Sequence, residues 1–442
     1  MNRTVMDKKY IRGYQKTRER VKRKYLCMAP FSSLFLDYKG NVFACFANKH
    51  LLLGKYDTQS IMEIWNSTPL QTLRNSLKNN SFENGCQLCK NKILQQQYTQ
   101  VYARRYDYLT PSTHGFPTSI EVQLSNQCNL NCIMCVVSKD NPSQINIPAF
   151  RGYLKPIIPY LKYASFSGGE PFFINDYFDI WEDIYSLNKN CIISVNTNAT
   201  ILNEKVKAIL NKLSFNITVS IDGFTKDTFE RIRQHANRDL VYENLDYFAQ
   251  YTKHKNTFFN VKMCMLNQNI YEFPSLFDYF TKKDIPIILN EVIYPLSTAL
   301  WNNKVTKLRE IIHFLSEHTP LFLKNRAGFH NASVWNELIS LLTDYEKSAM
   351  YFENLILKNN GSLSKLNDAV IERISPFFTD SNELSFFLSV ITKQHYQEQE
   401  QRKIYAFLLT VPFERLIGEL EVRQENEVRQ IFDSVIHDLI GQ

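Results

Sequence analysis

The chain has 442 residues, of which 44% are hydrophobic and 21% are charged, and its formal net charge is +7. This length and composition predict a globular protein of about two to four domains and exclude a disordered chain. Nine cysteines are too dilute for a disulfide scaffold, and their clustering indicates metal binding in a reducing compartment. The sequence shows no apolar signal core and no run long enough to span a bilayer, so we expect a cytoplasmic protein without a membrane partner.

Residues 1–24 form a basic N-terminal arm, in which ten Lys or Arg residues stand against Asp7 and Glu19. A solvated helix or tail is the simplest interpretation, and contact with an acidic partner or nucleic acid is the alternative. The sequence shows no basic patch interleaved with aromatic residues of the kind that binds RNA, so a nucleic-acid partner is not expected.

The first cysteine group lies within residues 25–110, and its members are Cys27, Cys45, Cys86 and Cys89. The first two flank a pair of alternating strands around Lys39-Gly40-Asn41, a pattern typical of a β-hairpin whose ends bring both thiols together. A helix is predicted over 60–67, before the last two. Four thiols in two pairs suit either a zinc ion or an iron–sulfur cluster, and the spacing alone slightly favours zinc.

The second cysteine group follows a predicted strand over 119–124 with the spacing C-x3-C-x2-C, and its members are Cys128, Cys132 and Cys135. Three thiolates on one loop can bind three irons of a four-iron cluster, which leaves the fourth iron open to another ligand. A zinc knuckle or three core thiols is the alternative. Zinc sites usually combine C-x2-C pairs with a fourth ligand, and none lies close in the sequence.

Beyond the cysteine loop, predicted strands alternate with helices, which favours an α/β fold with parallel strands and helical crossovers. The further strands are predicted over 163–167, 192–196, 216–221, 258–265 and 286–290. Polar motifs follow three of them, at the carboxyl ends where parallel barrels carry their chemistry. The motifs are Gly168-Gly169-Glu170-Pro171, Thr197-Asn198-Ala199-Thr200 and Ser220-Ile221-Asp222-Gly223, and Arg231-Ile232-Arg233 is expected on the helix after the last.

Together, this cysteine spacing and these motifs resemble the radical SAM superfamily. The resemblance implies a partial (β/α)6 barrel over 117–300 that binds a [4Fe–4S] cluster and S-adenosylmethionine. An electron then cleaves S-adenosylmethionine to a 5′-deoxyadenosyl radical, which abstracts a hydrogen atom from a substrate C–H bond. The region 25–110 is similar to a twitch domain, the shorter relative of the SPASM domain, and so implies an auxiliary [4Fe–4S] cluster. Such a module usually follows the barrel, whereas here it precedes the barrel.

The resemblance also implies the site residues. The catalytic cluster would be bound by Cys128, Cys132 and Cys135, and the auxiliary cluster by Cys27, Cys45, Cys86 and Cys89. The expected contacts of S-adenosylmethionine are Gly168, Gly169, Glu170, Asn196, Asn198, Ser220 and Arg233. In this chain Ala199 replaces the glycine of the family's Thr-Asn-Gly-Thr. The remaining cysteines, Cys191 and Cys264, lie in or beside apolar strands and are expected to pack in the core. A thiyl hydrogen-atom donor facing the barrel interior is the alternative for Cys264.

Residues 301–442 are predicted to form an all-α domain that resembles no family and carries no cluster motif. Two sets of apolar residues at helical spacing support this prediction. They are Val305, Leu308, Ile312 and Leu315, and, near the end, Val428, Ile431, Phe432, Val435 and Leu439. Breaks are expected at 359–361, Pro376 and Pro412. The domain would dock a substrate or partner, or shield the barrel mouth.

The expected reaction is oxidative modification or cross-linking of a peptide or protein side chain, because Ser220-Ile221-Asp222-Gly223 is similar to the peptide-modifying branch of the family. The twitch resemblance leaves open a tailoring enzyme that dehydrogenates or epimerises a sugar, an aminocyclitol or another small natural product. A non-enzymatic iron–sulfur protein is the second alternative. A reductase such as flavodoxin or ferredoxin would supply the electron.

Overall fold

The computed structural model describes residues 6–18, 25–94, 96, 98, 101–135, 145–358, 362–375, 384–385, 387–388, 397–413, 416, 433 and 435–438. Several predicted features lie outside these residues: arm residues 1–5 and 19–24, the breaks at 359–361 and Pro376, and Val428, Ile431, Phe432 and Leu439. By compactness the chain divides into two units. The first comprises Met1–Asn129, Val137–Val219 and Leu240–Phe259, and the second comprises Leu130–Val136, Ser220–Asp239 and Asn260–Gln442.

The helices within the described residues are α1 Lys8–Lys16, α2 Ala29–Ser32, α3 Ile61–Trp65, α4 Thr68–Lys78, α5 Gln87–Leu94, α6 Ile147–Leu154, α7 Asn175–Asn188, α8 Glu204–Lys212, α9 Lys226–Ile232, α10 Arg238–Lys255, α11 Phe273–Lys282, α12 Val305–Glu317, α13 Arg326–Lys358, α14 Leu363–Ile374 and α15 Glu398–Thr410. The helix predicted over 60–67 is present as Ile61–Trp65. Local signals explain several starts. Ser60 and Glu63, for example, form a capping box that begins α3.

The strands are β1 Ser33–Leu36, β2 Asn41–Phe43, β3 Gly54–Lys55, β4 Ser119–Val122, β5 Asn131–Cys132, β6 Tyr163–Phe166, β7 Ile192–Thr197, β8 Ser214–Ser220, β9 Arg233–Gln234, β10 Phe259–Met265 and β11 Ile287–Glu291. In the first unit, β4, β6, β7 and β8 pair in parallel in this order. In the second unit, β10 and β11 also pair in parallel. Strand–helix alternation with parallel pairing confirms the α/β class and the βα repeat of the partial (β/α)6 barrel.

The hairpin of the first cysteine group belongs to the same sheet as the barrel strands of the first unit. Strands β1 and β2 are antiparallel, as predicted, and β3 pairs with β2. Strand β1 also pairs in parallel with β4, from Ser33 opposite Ser119 to Leu36 opposite Val122. The sheet order of this unit is therefore β8-β7-β6-β4-β1-β2-β3, and the N-terminal module extends the barrel sheet.

The two faces of this sheet differ in polarity. One face carries Phe166 and Phe215, both buried, and packs against Trp181 of α7 with ring centroids 5.6 and 5.3 Å away. Burial of such large rings contributes much of the core's stability. Alternate residues of the same strands point to the other face and are half-buried, which leaves that face available for polar side chains.

In the second unit, helix α13 packs along β11. The side chain of Asn331 is fully buried; its Oδ1 accepts from the backbone N–H of Ile287 at 2.9 Å, and its Nδ2 donates to Thr281 and Ile285. Trp335 stacks edge-on against Phe277 of α11 at 5.0 Å. These contacts satisfy backbone groups that β11 would otherwise leave unpaired. The predicted helical region thus packs on the last βα unit, and its boundary at residue 301 stays a prediction.

The described part of residues 301–442 is helical, as predicted. In α12, the buried residues are Val305, Leu308, Ile311 and Leu315. Ile312, which the sequence places on the same face, is half-buried. Helix α15 ends at Thr410, two residues before Pro412, as expected. None of the described helices is both long and apolar enough to cross a membrane.

Asn331→Ala should destabilise the protein by about 2 kcal/mol, because it leaves buried groups of Ile287, Thr281 and Ile285 without partners. Asn336→Ala, an exposed position on the same helix, is the control and should change stability by less than about 0.5 kcal/mol. Urea unfolding followed by tryptophan fluorescence measures both. Equal stability of the two variants would contradict a role for Asn331 in covering β11.

Candidate metal centres

The four upstream cysteines come together in the first unit. Cys27 and Cys89 are buried, and Cys45 and Cys86 are partly exposed. Burial raises the pKa of the Cys27 thiol, and repulsion from Cys89 raises it further. Burial likewise raises the pKa of Cys86, and the charges of Cys89, Cys45 and Cys27 add to it. Each thiol therefore lies within the electrostatic reach of others, as the ligands of one shared site must.

Neighbouring donors reach two of these sulfurs. The backbone N–H of Ala29 donates to Cys27 Sγ at 3.4 Å, and Asn48 Nδ2 donates to Cys86 Sγ at 3.5 Å. Such donors stabilise thiolate charge. Buried thiols with raised pKa values need a cationic partner to ionise together, and the iron of a cluster supplies that charge. The donor set therefore fits a four-thiolate cluster.

The described part of the basic arm packs near this site. Tyr14 in α1 is fully buried and its hydroxyl donates to the backbone of Leu26. The Arg18 guanidinium is buried, binds the carboxylate of Asp107, and lies 4.8 Å from the Tyr14 ring. The simplest interpretation, a solvated helix, is wrong for these two side chains, because their polar atoms are satisfied inside the fold.

The second cysteine group lies on the loop that follows β4. Cys128 and Cys132 are half-buried and Cys135 is exposed. The N–H of Cys135 donates to the carbonyl of Cys132 at 3.1 Å, which forms a tight turn. Within the described part of the chain, no three His, Cys, Asp or Glu side chains are close enough to hold a single metal ion. A cluster spaces its thiolates more widely, because each thiolate binds a different iron.

The Gly-Gly-Glu-Pro turn after β6 lies directly on the cysteine loop. The N–H of Gly169 donates to the carbonyl of Ser125 at 3.1 Å, and that of Glu170 to Gln127 at 2.8 Å. A Cβ added at Gly168 or Gly169 would lie 2.0 Å from Ser125 O or 1.8 Å from Gln127 O. The two glycines are therefore required for backbone contact within the chain. Their contact with S-adenosylmethionine stays a prediction.

The carboxylate of Glu170 binds the end of β7. Its Oε1 accepts from the Thr197 hydroxyl at 2.6 Å, and its Oε2 accepts from the Asn198 N–H at 2.7 Å. Asn198 Nδ2 in turn donates to Cys128 Sγ at 3.8 Å and to Asn129 Oδ1 at 2.9 Å. Glu170 thus positions Asn198, which donates a hydrogen bond to Cys128, the first cysteine of the loop. The sequence did not predict this positioning role.

Three other predicted contacts lie at strand ends. Asn196 is exposed on β7, and Ser220 is buried at the end of β8. Arg233 was predicted to lie on a helix, but it lies on the short strand β9. Helix α9 ends at Ile232, because Arg233 pairs with Cys132 across the short β5–β9 ladder. Its Nη2 lies 2.6 Å from Asp222 Oδ2, and its buried Nε has no acceptor among the described residues. That free donor fits an anionic ligand such as a carboxylate.

The half-buried face of the first-unit sheet carries a row of polar side chains at one register level. We call it the polar row, and it comprises Glu121, Ser165, Ser194 and Asn216. Tyr106 donates to Glu121, and burial raises the pKa of that carboxyl. The pKa of Cys45 is raised most by burial, next by the charge of Cys27, and then by the charge of Glu121. The upstream cysteine site therefore lies beside the polar row.

The two remaining cysteines differ in their surroundings. Cys191 is fully buried, as expected. Cys264 is half-buried and packs against a cluster of Ile232, Leu266 and Val292. Burial raises the pKa of each thiol to about 12, so both stay protonated at neutral pH.

Two family matches coincide with the two cysteine groups. Residues 27–90 match SPASM, an iron–sulfur cluster-binding domain, and residues 122–280 match the radical SAM superfamily. Residues 122–280 therefore form a radical SAM domain. A radical SAM domain binds S-adenosylmethionine and a [4Fe–4S] cluster, and a SPASM domain binds an auxiliary cluster, so the match decides against zinc upstream. The auxiliary domain precedes the radical SAM domain, as predicted.

Individual relatives match only part of the chain. An uncharacterised protein of Methanocaldococcus jannaschii is 33% identical over 109 residues, 23% of this chain and 37% of that protein. A probable GTP 3′,8-cyclase of Methanocella arvoryzae is 28% identical over 133 residues, 29% of this chain and 42% of that protein. The chain thus spans less than half the length of these relatives. The structure of Streptococcus suis SuiB bound to precursor peptide SuiA is 14% identical with a TM-score of 0.36, over 57% of this chain and 52% of that chain.

Ala199→Gly should stabilise the protein by about 1 kcal/mol. Ala199 has a φ of +57°, a left-handed conformation that costs a non-glycine residue roughly 1–2 kcal/mol, partly offset by the greater freedom of glycine when unfolded. Ala164→Gly, at a buried strand position, is the control and should destabilise. Thermal unfolding of both variants measures the effect. A less stable Ala199→Gly variant would show that the alanine methyl group contributes more than its backbone strain costs.

Proposed function

We propose that this protein reductively cleaves S-adenosylmethionine and uses the resulting 5′-deoxyadenosyl radical to oxidise or cross-link a side chain of a peptide or protein. Cys128, Cys132 and Cys135 hold the catalytic cluster in this proposal, and Cys27, Cys45, Cys86 and Cys89 hold the auxiliary cluster. When bound, the catalytic cluster supplies the electron for the cleavage.

The arrangement around Cys128 carries the proposal. The loop carrying Cys128 is fixed by backbone bonds from Gly169 and Glu170, and the Asn198 amide reaches its sulfur. Glu170 holds Asn198 in place through its backbone N–H. Residues from the ends of three parallel strands thus orient one thiolate, at the barrel end where catalysis occurs. Pre-orientation of this kind lowers the cost of holding a cluster with one open iron.

Gly168, Gly169, Glu170, Asn196, Asn198, Ser220 and Arg233 are the proposed contacts of S-adenosylmethionine. The free Nε–H of Arg233 supports a contact with its carboxylate, because a buried donor without an acceptor is costly. The other side chains lie at strand ends of the barrel. Glu170, Asn198 and the glycines act within the chain as well, so their loss would also disturb the cysteine loop.

The upstream site has a separate proposed role, which is to accept the electron of the substrate radical. Its position supports that role, because Cys45 lies beside Glu121 of the polar row. A substrate on the half-buried face of the sheet would then be close to the auxiliary cluster. The polar row also favours a substrate with a polar side chain, because its hydroxyl, amide and carboxyl groups lie side by side on the half-buried face of the sheet.

The peptide substrate is proposed from the Ser220-Ile221-Asp222-Gly223 motif, which is similar to the peptide-modifying branch. A reductase such as flavodoxin or ferredoxin would supply the electron. A polar row also suits a sugar or another small molecule. A gene for a short precursor peptide beside this gene would favour the peptide, and sugar-pathway genes in that place would favour the small molecule.

The intact chain should bind about eight irons after anaerobic reconstitution, four in each cluster. Replacing Cys128, Cys132 and Cys135 with Ala should leave about four and abolish formation of 5′-deoxyadenosine. Cys191→Ala is the control, because Cys191 is a buried core thiol away from both groups, and it should keep about eight irons. Iron analysis and product chromatography measure these outcomes. Zinc in the upstream site, with only four irons in the intact chain, would contradict the auxiliary-cluster assignment.

The double variant Cys86→Ala, Cys89→Ala should lose the auxiliary cluster but keep about four irons in the catalytic one. Cleavage of S-adenosylmethionine without substrate should then continue, because the catalytic cysteines are intact. Product formation should fail, because the substrate radical has no acceptor. Iron content and circular dichroism report whether the small domain still folds without its ligands. A folded double variant that makes full product would refute the electron-accepting role.

A further inference from the structure

We propose that Arg233 and Asp222 form a charge pair that sets the reduction potential of the catalytic cluster through the sulfur of Cys132. This inference rests on the proposed function, since it takes Cys132 as a cluster ligand. It assigns to Arg233 a positioning and tuning role in addition to its expected contact with S-adenosylmethionine.

Backbone pairing places the arginine opposite the cysteine. In the β5–β9 ladder, Cys132 is the direct partner of Arg233, and Asn131 is the partner of Gln234. The N–H of Ile133 donates to the carbonyl of Ile232 at 3.0 Å and extends the contact. Arg233 Nη1 then reaches Cys132 Sγ at 3.9 Å. A residue 101 positions away in the sequence is thus fastened to the cysteine by main-chain bonds.

Asp222 holds the guanidinium from the other side. Its carboxylate is fully buried and lies 2.6 Å from Arg233 Nη2. The carboxylate is itself fixed, because its Oδ1 accepts from the N–H of Cys264 at 2.5 Å. Asn269 Nδ2 donates to the Asp222 carbonyl at 2.9 Å and to that of Cys264. Asp222 is thus held by neighbouring groups of the second unit on the side away from Arg233.

The charge state of Arg233 is secure. An arginine guanidinium stays protonated in proteins, and that of Arg233 lies beside the carboxylate of Asp222. A permanent cation beside one ligand differs from the environment of Cys128, whose neighbour is the neutral amide of Asn198 at 3.8 Å. The three cysteines of the loop are therefore electrostatically unequal.

The sign of the effect follows from charge. Reduction adds one negative charge to a cluster, and a nearby cation stabilises the reduced form more than the oxidised form. Charge and hydrogen bonds at the sulfurs are known determinants of cluster potential. Arg233 should raise the potential. Asp222, on the far side of the guanidinium, should lower it by partly neutralising that cation.

Substitution at the two positions should therefore shift the potential in opposite directions. Arg233→Gln should lower the midpoint potential by about 59 mV, which corresponds to a tenfold change in the equilibrium constant of a one-electron reduction. Asp222→Asn should raise it. Arg233→Lys keeps the charge and should retain most of the wild-type value. Arg231→Gln, two residues away on the exposed face of α9, is the matched control and should leave the potential unchanged.

The measurement is a redox titration of the reconstituted full-length chain, followed by the electron paramagnetic resonance signal that changes when S-adenosylmethionine is added. That signal belongs to the cluster with the open iron. Shifts of opposite sign in Arg233→Gln and Asp222→Asn support the inference, because loss of structure alone would move both in one direction. Shifts of the same sign, or none in either variant, overturn it.

Should Arg233→Gln lose its cluster, the Arg233→Lys and Asp222→Asn variants decide the question, because both retain the cation. An unchanged potential in Asp222→Asn would then overturn the inference. Failure of the proposed function looks different. In that case the wild-type chain itself shows no signal that responds to S-adenosylmethionine.

Discussion

The candidate site of the first unit depends on the carboxylate of Glu170. This carboxylate accepts hydrogen bonds from Thr197, the last residue of β7, and from Asn198, which follows it. Glu170 itself belongs to the turn after β6, whose backbone bonds to the cysteine loop. One buried carboxylate therefore joins the ends of β6 and β7. It fixes Asn198, whose side-chain amide in turn donates to the sulfur of Cys128. A short loop cannot orient its own cysteine, because fixing each residue costs about 1–2 kcal/mol of conformational entropy. The surrounding turns supply the constraint that the loop lacks.

The auxiliary region likewise depends on neighbouring elements for its stability. Its hairpin is short, but β1 pairs with β4, and buried Tyr14 and Arg18 lie close enough to Cys27 to interact with it electrostatically. A module of this size rarely builds a sufficient core alone. It gains stability from the barrel sheet and, with its ligands in place, from the cluster. The helical region meets a similar need in the second unit, where Asn331 satisfies the backbone of β11.

The positions of the barrel strands and both cysteine groups were predictable from the sequence, because periodic apolar residues and motif spacing are local signals. Placement across long separations was not. Arg233 was assigned to a helix because its neighbours are helical, and only its pairing with Cys132 ends that helix. Glu170 was predicted to contact S-adenosylmethionine, because no local pattern shows that Thr197 and Asn198 donate hydrogen bonds to its carboxylate. Asp222 lay within a noted motif, but nothing in the sequence placed it beside Arg233.

The pairing of β1 with β4 has a consequence for synthesis on the ribosome. Ser33 must wait for Ser119, 86 positions later, before its parallel partner exists. At about 5–20 residues per second, this delay is roughly 4–17 seconds. All four auxiliary cysteines are translated before Ser119, and so before the first cysteine of the catalytic loop. The nascent hairpin therefore presents an open strand and four free thiols together, and early delivery of iron and sulfide would protect both from misassembly.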